Sequence, residues 1–247
     1  VDTTAPFFIG IVPDTLQLNC GETVPLPPDV SLFECDTMPM TTYAETSTQV
    51  MDGSCQQYEF EVERTWTATD RCGNSTIIRR RYEIRDTEAP EFTRPSNINL
   101  TCLQDPFDLD FTGRPSALSD NCSPTELLVV TFADQVIGAG ICRNSFDVER
   151  TWTVTDLCGN SRVRVQRIRI RDNVPPTCTP PMDDVIVSCE NYLNTEITGQ
   201  PFNLNDQCDE TVNLSFEDDI SPGACTNNFT VAREWRIFDD CGNSRSF

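Results

Sequence analysis

One twelve-residue segment occurs three times, and it constrains the fold more than any other feature. Arg64-Thr65-Trp66-Thr67-Ala68-Thr69-Asp70-Arg71-Cys72-Gly73-Asn74-Ser75 returns as Arg150 to Ser161 and again as Arg233 to Ser244. The three tryptophans of the chain, Trp66, Trp152 and Trp235, hold the same place in each copy, 86 and 83 residues apart. A Pro-containing junction recurs with the same period: Asp2 to Pro6, Asp86 to Pro90 and Asp172 to Pro176. Self-similarity at fixed spacing marks a tandem array of one structural unit. It predicts three modules, 1–86, 87–172 and 173–247, the last with an incomplete final strand.

Each module reads as β. Phe60, Val62, Trp66 and Ala68 alternate with Glu61, Glu63, Thr65 and Thr67, the period-2 pattern of a strand with one buried face. Pro, Gly, Asn and Asp punctuate the segments between strands, and no stretch carries a 3.6-residue apolar repeat. Short strands with regular turns predict an all-β chain of three immunoglobulin-like sandwiches. In the second module the apolar phase shifts from Val163 and Val165 to Ile168 and Ile170, which predicts a β-bulge near Gln166.

Thirteen cysteines, without histidine and without a C-x-x-C pair, read as disulfides in an oxidising compartment rather than zinc ligands. Four fall in each module: Cys20, Cys35, Cys55 and Cys72; Cys102, Cys122, Cys142 and Cys158; Cys189, Cys208, Cys225 and Cys241. Strand direction places the first and third of each set at the trailing pole of a module and the second and fourth at its leading pole. The pairing expected within modules is therefore Cys102–Cys142 with Cys122–Cys158, Cys20–Cys55 with Cys35–Cys72, and Cys189–Cys225 with Cys208–Cys241. Cys178 remains unpaired, at the position of Phe8 and Phe92, as a buried free cysteine or an intermolecular thiol.

Charge and composition exclude several classes. The net charge is −21, and all 18 basic residues are arginine. Such a chain is a poor nucleic-acid ligand. No apolar run is long enough to span a membrane. Without histidine there is no histidine triad, and no G-x-S-x-G elbow or phosphate loop occurs, so no enzyme activity and no catalytic residue are expected. No secretory signal precedes Val1, which reads as a mature fragment or a cut from something longer.

The repeated strand and turn, the Asp-x-x-x-Pro junction and the four cysteines per module resemble the hyalin-repeat-like (HYR-like) immunoglobulin-fold modules found in tandem in secreted and surface proteins, notably of Bacteroidetes-type bacteria. The resemblance covers all three modules. Glu234 and Arg236 stand where the other copies have threonine. It implies a structural subunit or repeat segment of an extracellular or cell-surface filament, stalk or adhesin. Its partner is itself, as a head-to-tail homopolymer or one continuous tandem array. The alternative is a binding module that recognises glycans or a host surface through its pole loops.

Individual residues add expectations. Arg64, Arg150 and Arg233 lie in phase with the inward face, two residues before Trp66, Trp152 and Trp235, as structural arginines with packed stems. Nine other arginines, Arg79, Arg80, Arg81, Arg85, Arg162, Arg164, Arg167, Arg169 and Arg171, line two strands and are expected to pair with acids of the adjacent strand. No cofactor is expected except calcium, for which Asp86, Asp120, Asn121, Asp156 and Asn160 gather oxygen atoms at one junction. Asn74, Asn99, Asn121, Asn213 and Asn228 begin N-x-S/T sequons, and Thr3, Thr15 and Thr37 sit in Asp-Thr-x triplets, as candidate glycosylation sites.

Overall fold

The structure, a computed structural model, describes residues 2–10, 14–33, 39–139, 142–181 and 184–247. In chain order the strands are β1 (Phe7–Ile9), β2 (Asp14–Asn19), β3 (Ser31–Phe33), β4 (Met40–Ser47), β5 (Phe60–Thr69), β6 (Ser75–Arg85), β7 (Glu91–Thr93), β8 (Ile98–Thr101) and β9 (Ser116–Ser119). There follow β10 (Val129–Ala139), β11 (Phe146–Thr155), β12 (Ser161–Arg171), β13 (Thr177–Thr179), β14 (Phe202–Asn205), β15 (Asn213–Pro222), β16 (Phe229–Phe238) and β17 (Ser244–Ser246). The α-helices described, Leu109–Thr112 and Thr195–Thr198, are single turns. The chain is all-β, a series of immunoglobulin-like sandwiches. It divides into two compact units: residues 1–93, 115–132 and 152–164 form the first, and residues 94–114, 133–151 and 165–247 the second.

In the first unit the Trp66 strand sits inside a four-stranded sheet of order β2-β6-β5-β4. The alternation in the sequence becomes alternation in space. Val62, Arg64, Trp66 and Ala68 are buried, while the residues between them are half-exposed. β5 and β6 form a hairpin whose turn needs Gly73, at φ +90°, where a side chain would strain the backbone. β2 adds to β6 in parallel, with Leu16 opposite Tyr82 and Leu18 opposite Ile84. A second, two-stranded sheet of β1 and β3 closes the sandwich. Phe8 of β1 packs on Trp66, Ala68 and Ile78, flanked by Val30 and Leu32. Val62, Tyr82 and Ile84 make a second cluster with Leu18, Val24 and Phe60. Burial of this kind contributes about 25 cal/mol for each Å² of apolar surface removed from water.

The same strand order recurs one repeat later as β8-β12-β11-β10. In the second unit β8 pairs in parallel with β12, Ile98 opposite Ile168 and Leu100 opposite Ile170. These residues pack with Val148 and Phe146. The bulge expected near Gln166 has a different explanation. Gln166, Ile168 and Ile170 keep one phase and are buried, and Val163 and Val165 face outward. The shift in apolar phase marks a buried glutamine, whose Nε2 donates to the carbonyl oxygens of Ser96 (3.0 Å) and Thr112 (2.7 Å). A buried amide with partners is tolerated where an orphaned one is not. The third repeat contributes β15 and β16, antiparallel from Asn213 opposite Phe238 to Pro222 opposite Phe229, and β17, which pairs with β16 over three residues.

Candidate functional site: the junctions between repeats

Each Asp-x-Cys-Gly-Asn turn is held by its own side chains. Asn160 donates its backbone N–H to Asp156 Oδ1 and its Nδ2 to Asp156 Oδ2, both at 2.9 Å. The same Nδ2 reaches the carbonyl oxygen of the junction residue Asp86 at 3.1 Å. Asn243 repeats the arrangement with Asp239 and the carbonyl of Asp172. Asn74 repeats it with Asp70 and the carbonyl of Asp2. The asparagine of the motif therefore fastens the turn to the segment entering its own repeat. This explains an Asx residue at that position better than a binding role does.

The cysteines pair across repeats, not within them. The disulfides are Cys20–Cys122 and Cys55–Cys158 in the first unit, and Cys102–Cys208 and Cys142–Cys241 in the second, with Cα atoms 4.8–6.0 Å apart. None of the expected within-module pairs forms among the described residues. Cys72, Cys189 and Cys225 are free and exposed, and Cys35 lies outside the described residues. The reason is geometric. Each compact unit holds the trailing pole of one repeat together with the leading pole of the next. Within such a unit the cysteines of one trailing pole meet those of the next leading pole inside the ~7 Å between Cα atoms that a disulfide requires. One register results: the first cysteine of a repeat bonds the second of the next, and the third bonds the fourth. Loops of about 100 residues are each worth up to ~4.7 kcal/mol in the chain-entropy account.

Beside these bonds lies an acidic cluster. Asp86, Asp120 and Asp156 each place a carboxylate oxygen within 4.8 Å of the others. Asp120 Oδ1 accepts from the N–H groups of Cys122 (3.0 Å) and Ser123 (2.7 Å). Asp86 Oδ1 accepts from the N–H of Glu88 at 3.3 Å. The second oxygens of Asp86 and Asp120 are buried without a hydrogen-bond partner. Burial, with the charges of Asp156 and Asp120 beside it, pushes the Asp86 carboxyl up to about 6. Of the five residues expected to gather for calcium, three carboxylates meet. Asn160 joins through its amide nitrogen, while the Asn121 amide is spent on Asn19 Oδ1 at 3.0 Å. Sequence reading missed the counterparts Asp172, Asp206 and Asp239, although the repeat spacing points to them. Burial raises the Asp172 carboxyl also, with Asp239, Asp206 and Asp209 nearby. The cysteines beside the cluster are oxidised and offer no thiolate to a metal.

The arginines two residues before each tryptophan are built into the sandwiches. Arg150 is fully buried and grips Asp134 in a bidentate pair at 2.7 and 2.8 Å, and it also donates to Thr112 Oγ1 and the carbonyl of Pro106. Arg233 holds Asp218 at the same two distances. Arg64 meets Glu45 through Nε alone, at 2.7 Å, and donates to the carbonyl of Pro25. An aromatic residue two positions before each acid, Tyr43, Phe132 or Phe216, packs against the tryptophan in a tilted arrangement with ring centroids 5.0–5.4 Å apart. Among the exposed arginines, Arg81 reaches Glu61 and Glu63, Arg167 reaches Glu149, and Arg162 and Arg164 share Glu91.

Cys178 is free and half-buried in β13, and burial raises its thiol. Asn99, Asn121, Asn213, Asn228, Thr3 and Thr15 are exposed, and Thr37 lies outside the described residues. The Asn74 side chain is engaged inside its turn. In the second unit a cleft of about 820 Å³ opens between residues 184–189 and β16, lined by Val185, Ile186, Val231 and Arg233.

No family model matches the chain, and no curated protein matches it. Solved structures similar to it include the protocadherin GammaB4 extracellular domain, at 11% identity and TM-score 0.32. The match covers 100% of this chain and 48% of that one. Human CDH23 EC21-23 is 12% identical with TM-score 0.31, covering 99% and 98%. Drosophila N-cadherin EC1-4 is 14% identical with TM-score 0.30, covering 100% and 74%. At such scores these likenesses carry no reading of function.

Proposed function

We propose that this chain is a segment of an extracellular structural array, a fibre, stalk or adhesin built of HYR-like modules 1–86, 87–172 and 173–247. Each module is bolted to the next by two disulfides. The role is mechanical and not catalytic, and disulfides of this density belong to an oxidising, extracellular setting. The observation that carries the reading is the disulfide register. It uses the first and third cysteines of one repeat against the second and fourth of the next, twice over. The same register leaves exposed thiols at both sides of the segment: Cys72, a fourth cysteine, and Cys189 and Cys225, a first and a third. These are complementary, so a second copy of the chain fits head to tail, Cys225 to Cys72 and Cys189 to Cys35.

Two double variants test this. Cys35→Ser with Cys72→Ser removes one side, and Cys189→Ser with Cys225→Ser removes the other. Under a glutathione redox buffer each alone stays monomeric on non-reducing gels, and their mixture gives a dimer in which peptide mapping joins Cys225 to Cys72. Dimers of either variant alone, or links through Cys178, would overturn the register as the basis of assembly.

A further inference from the structure

We infer that the junctions of this chain are calcium-binding sites, formed by Asp86, Asp120 and Asp156 at the first junction and gathered around Asp172 by Asp206, Asp209 and Asp239 at the second. The three carboxylates of the first come from three separate segments: the residue that follows β6, the turn before Cys122 and the Cys-Gly-Asn turn. Opposite ligands of a calcium ion stand no more than ~4.8 Å apart, given Ca–O bonds of ~2.4 Å, so a single ion fits among the three oxygens. Asp86 is only 3% exposed, yet its Oδ2 has no partner, and Asp120 Oδ2 is orphaned beside it. A buried carboxylate oxygen without a donor is costly, and so are like charges brought together in a partly desolvated site. A divalent cation removes both costs at once.

At the second junction Asp209 stands within 4.8 Å of Asp172, with Asp206 and Asp239 nearby, and the same defect recurs. Asp172 is 7% exposed, and its Oδ2 and that of Asp206 lack partners. Asp206 Oδ1 is held by the N–H groups of Cys208 and Asp209, as Asp120 is held by those of Cys122 and Ser123. Asp239 is fixed by Asn243 as Asp156 is by Asn160. The same unsatisfied oxygens arising twice, at equivalent positions, point to a ligand and not to a local accident. The donor set selects the ion. It consists of hard oxygens, with no histidine in the chain and the nearby sulfurs oxidised, which suits calcium and not zinc or copper. The remaining coordination of a six- to eight-ligand ion is left to water and to second carboxylate oxygens.

The inference does not rest on the array reading, because both sites lie within one chain. Isothermal titration of the chelator-stripped, disulfide-intact chain with calcium chloride tests it. Two ions bind per chain. Asp86→Asn leaves one, Asp172→Asn leaves the other, and the two together leave none, or bind at least tenfold more weakly. Asp120→Asn serves as a second variant of the first site, and a preserved disulfide map shows that each variant has folded. The melting midpoint of the unaltered chain rises with calcium. Absence of binding, or a stoichiometry unchanged by Asp86→Asn and Asp120→Asn, would overturn the assignment and leave a proton on Asp86 as what satisfies the cluster.

Discussion

β5 and β16 carry the same motif and do not bury it equally. β5 lies between β4 and β6, paired over eight and ten residues, and its inward residues Val62, Arg64, Trp66 and Ala68 are all buried. β16 has a full partner in β15 but only three paired residues of β17 on its other side. There Trp235 and Ile237 are buried, and Val231 and Arg233 are half-buried and line the cleft. The tryptophan escapes the difference because Phe247 reaches it, with backbone hydrogen bonds of 3.0 and 3.1 Å in both directions. Alternation in sequence decides which side chains face inward. Whether they are covered depends on the neighbouring strand.

The largest effect belongs where the two strands agree. Trp66→Ala and Trp235→Ala should each cost about 3–5 kcal/mol, the usual loss for a large aromatic core residue. Urea unfolding of the oxidised chain measures this, and a Trp235 loss under 1 kcal/mol would show that burial beside Phe247 is not packing. Next come the arginine clamps. Asp134→Ala strands the fully buried Arg150 and should cost about 3–5 kcal/mol. Glu45→Ala, whose carboxylate is 43% exposed, should cost no more than ~1 kcal/mol. Equal losses would mean that burial of the acid does not set the value of the clamp. The smallest effect separates β5 from β16 most directly. Val62→Ala should cost about 1.5–3 kcal/mol, and Val231→Ala clearly less, because its side chain already meets solvent. If Val231→Ala cost as much, the cleft would be filled in solution.

Much of this was legible from residues alone because it is local. The inward phase of Trp66, Trp152 and Trp235 and the turn at Asp156 and Asn160 follow from short-range patterns, whereas the parallel pairing of β2 with β6 and of β8 with β12 does not. Gln166 misled because a buried amide looks, in sequence, like a break in the apolar face. The disulfides misled for a longer-range reason. Strand direction correctly grouped Cys102 with Cys142 and Cys122 with Cys158 by pole. It gave no information on what each pole faces, and the facing pole of the next repeat supplies the partners Cys208 and Cys241. The acidic cluster was half legible: Asp86, Asp120 and Asp156 were gathered across one junction, and their counterparts Asp172, Asp206 and Asp239 at the next were not.

The cross-repeat bonds also set how far the molecule can be stretched. Without them, 247 residues at ~3.4 Å each would pay out to roughly 840 Å under load. With them, a pulling force follows the shortest covalent route: 19 residue steps from Val1 to Cys20, across to Cys122, 20 more to Cys142, across to Cys241, and six to Phe247. Those 45 steps extend to only about 150 Å, plus the two bridges. Every hydrogen bond in the sheets could break and the strand would still not lengthen past that limit. Beyond it tension falls on covalent bonds, and further lengthening requires reduction of the disulfides.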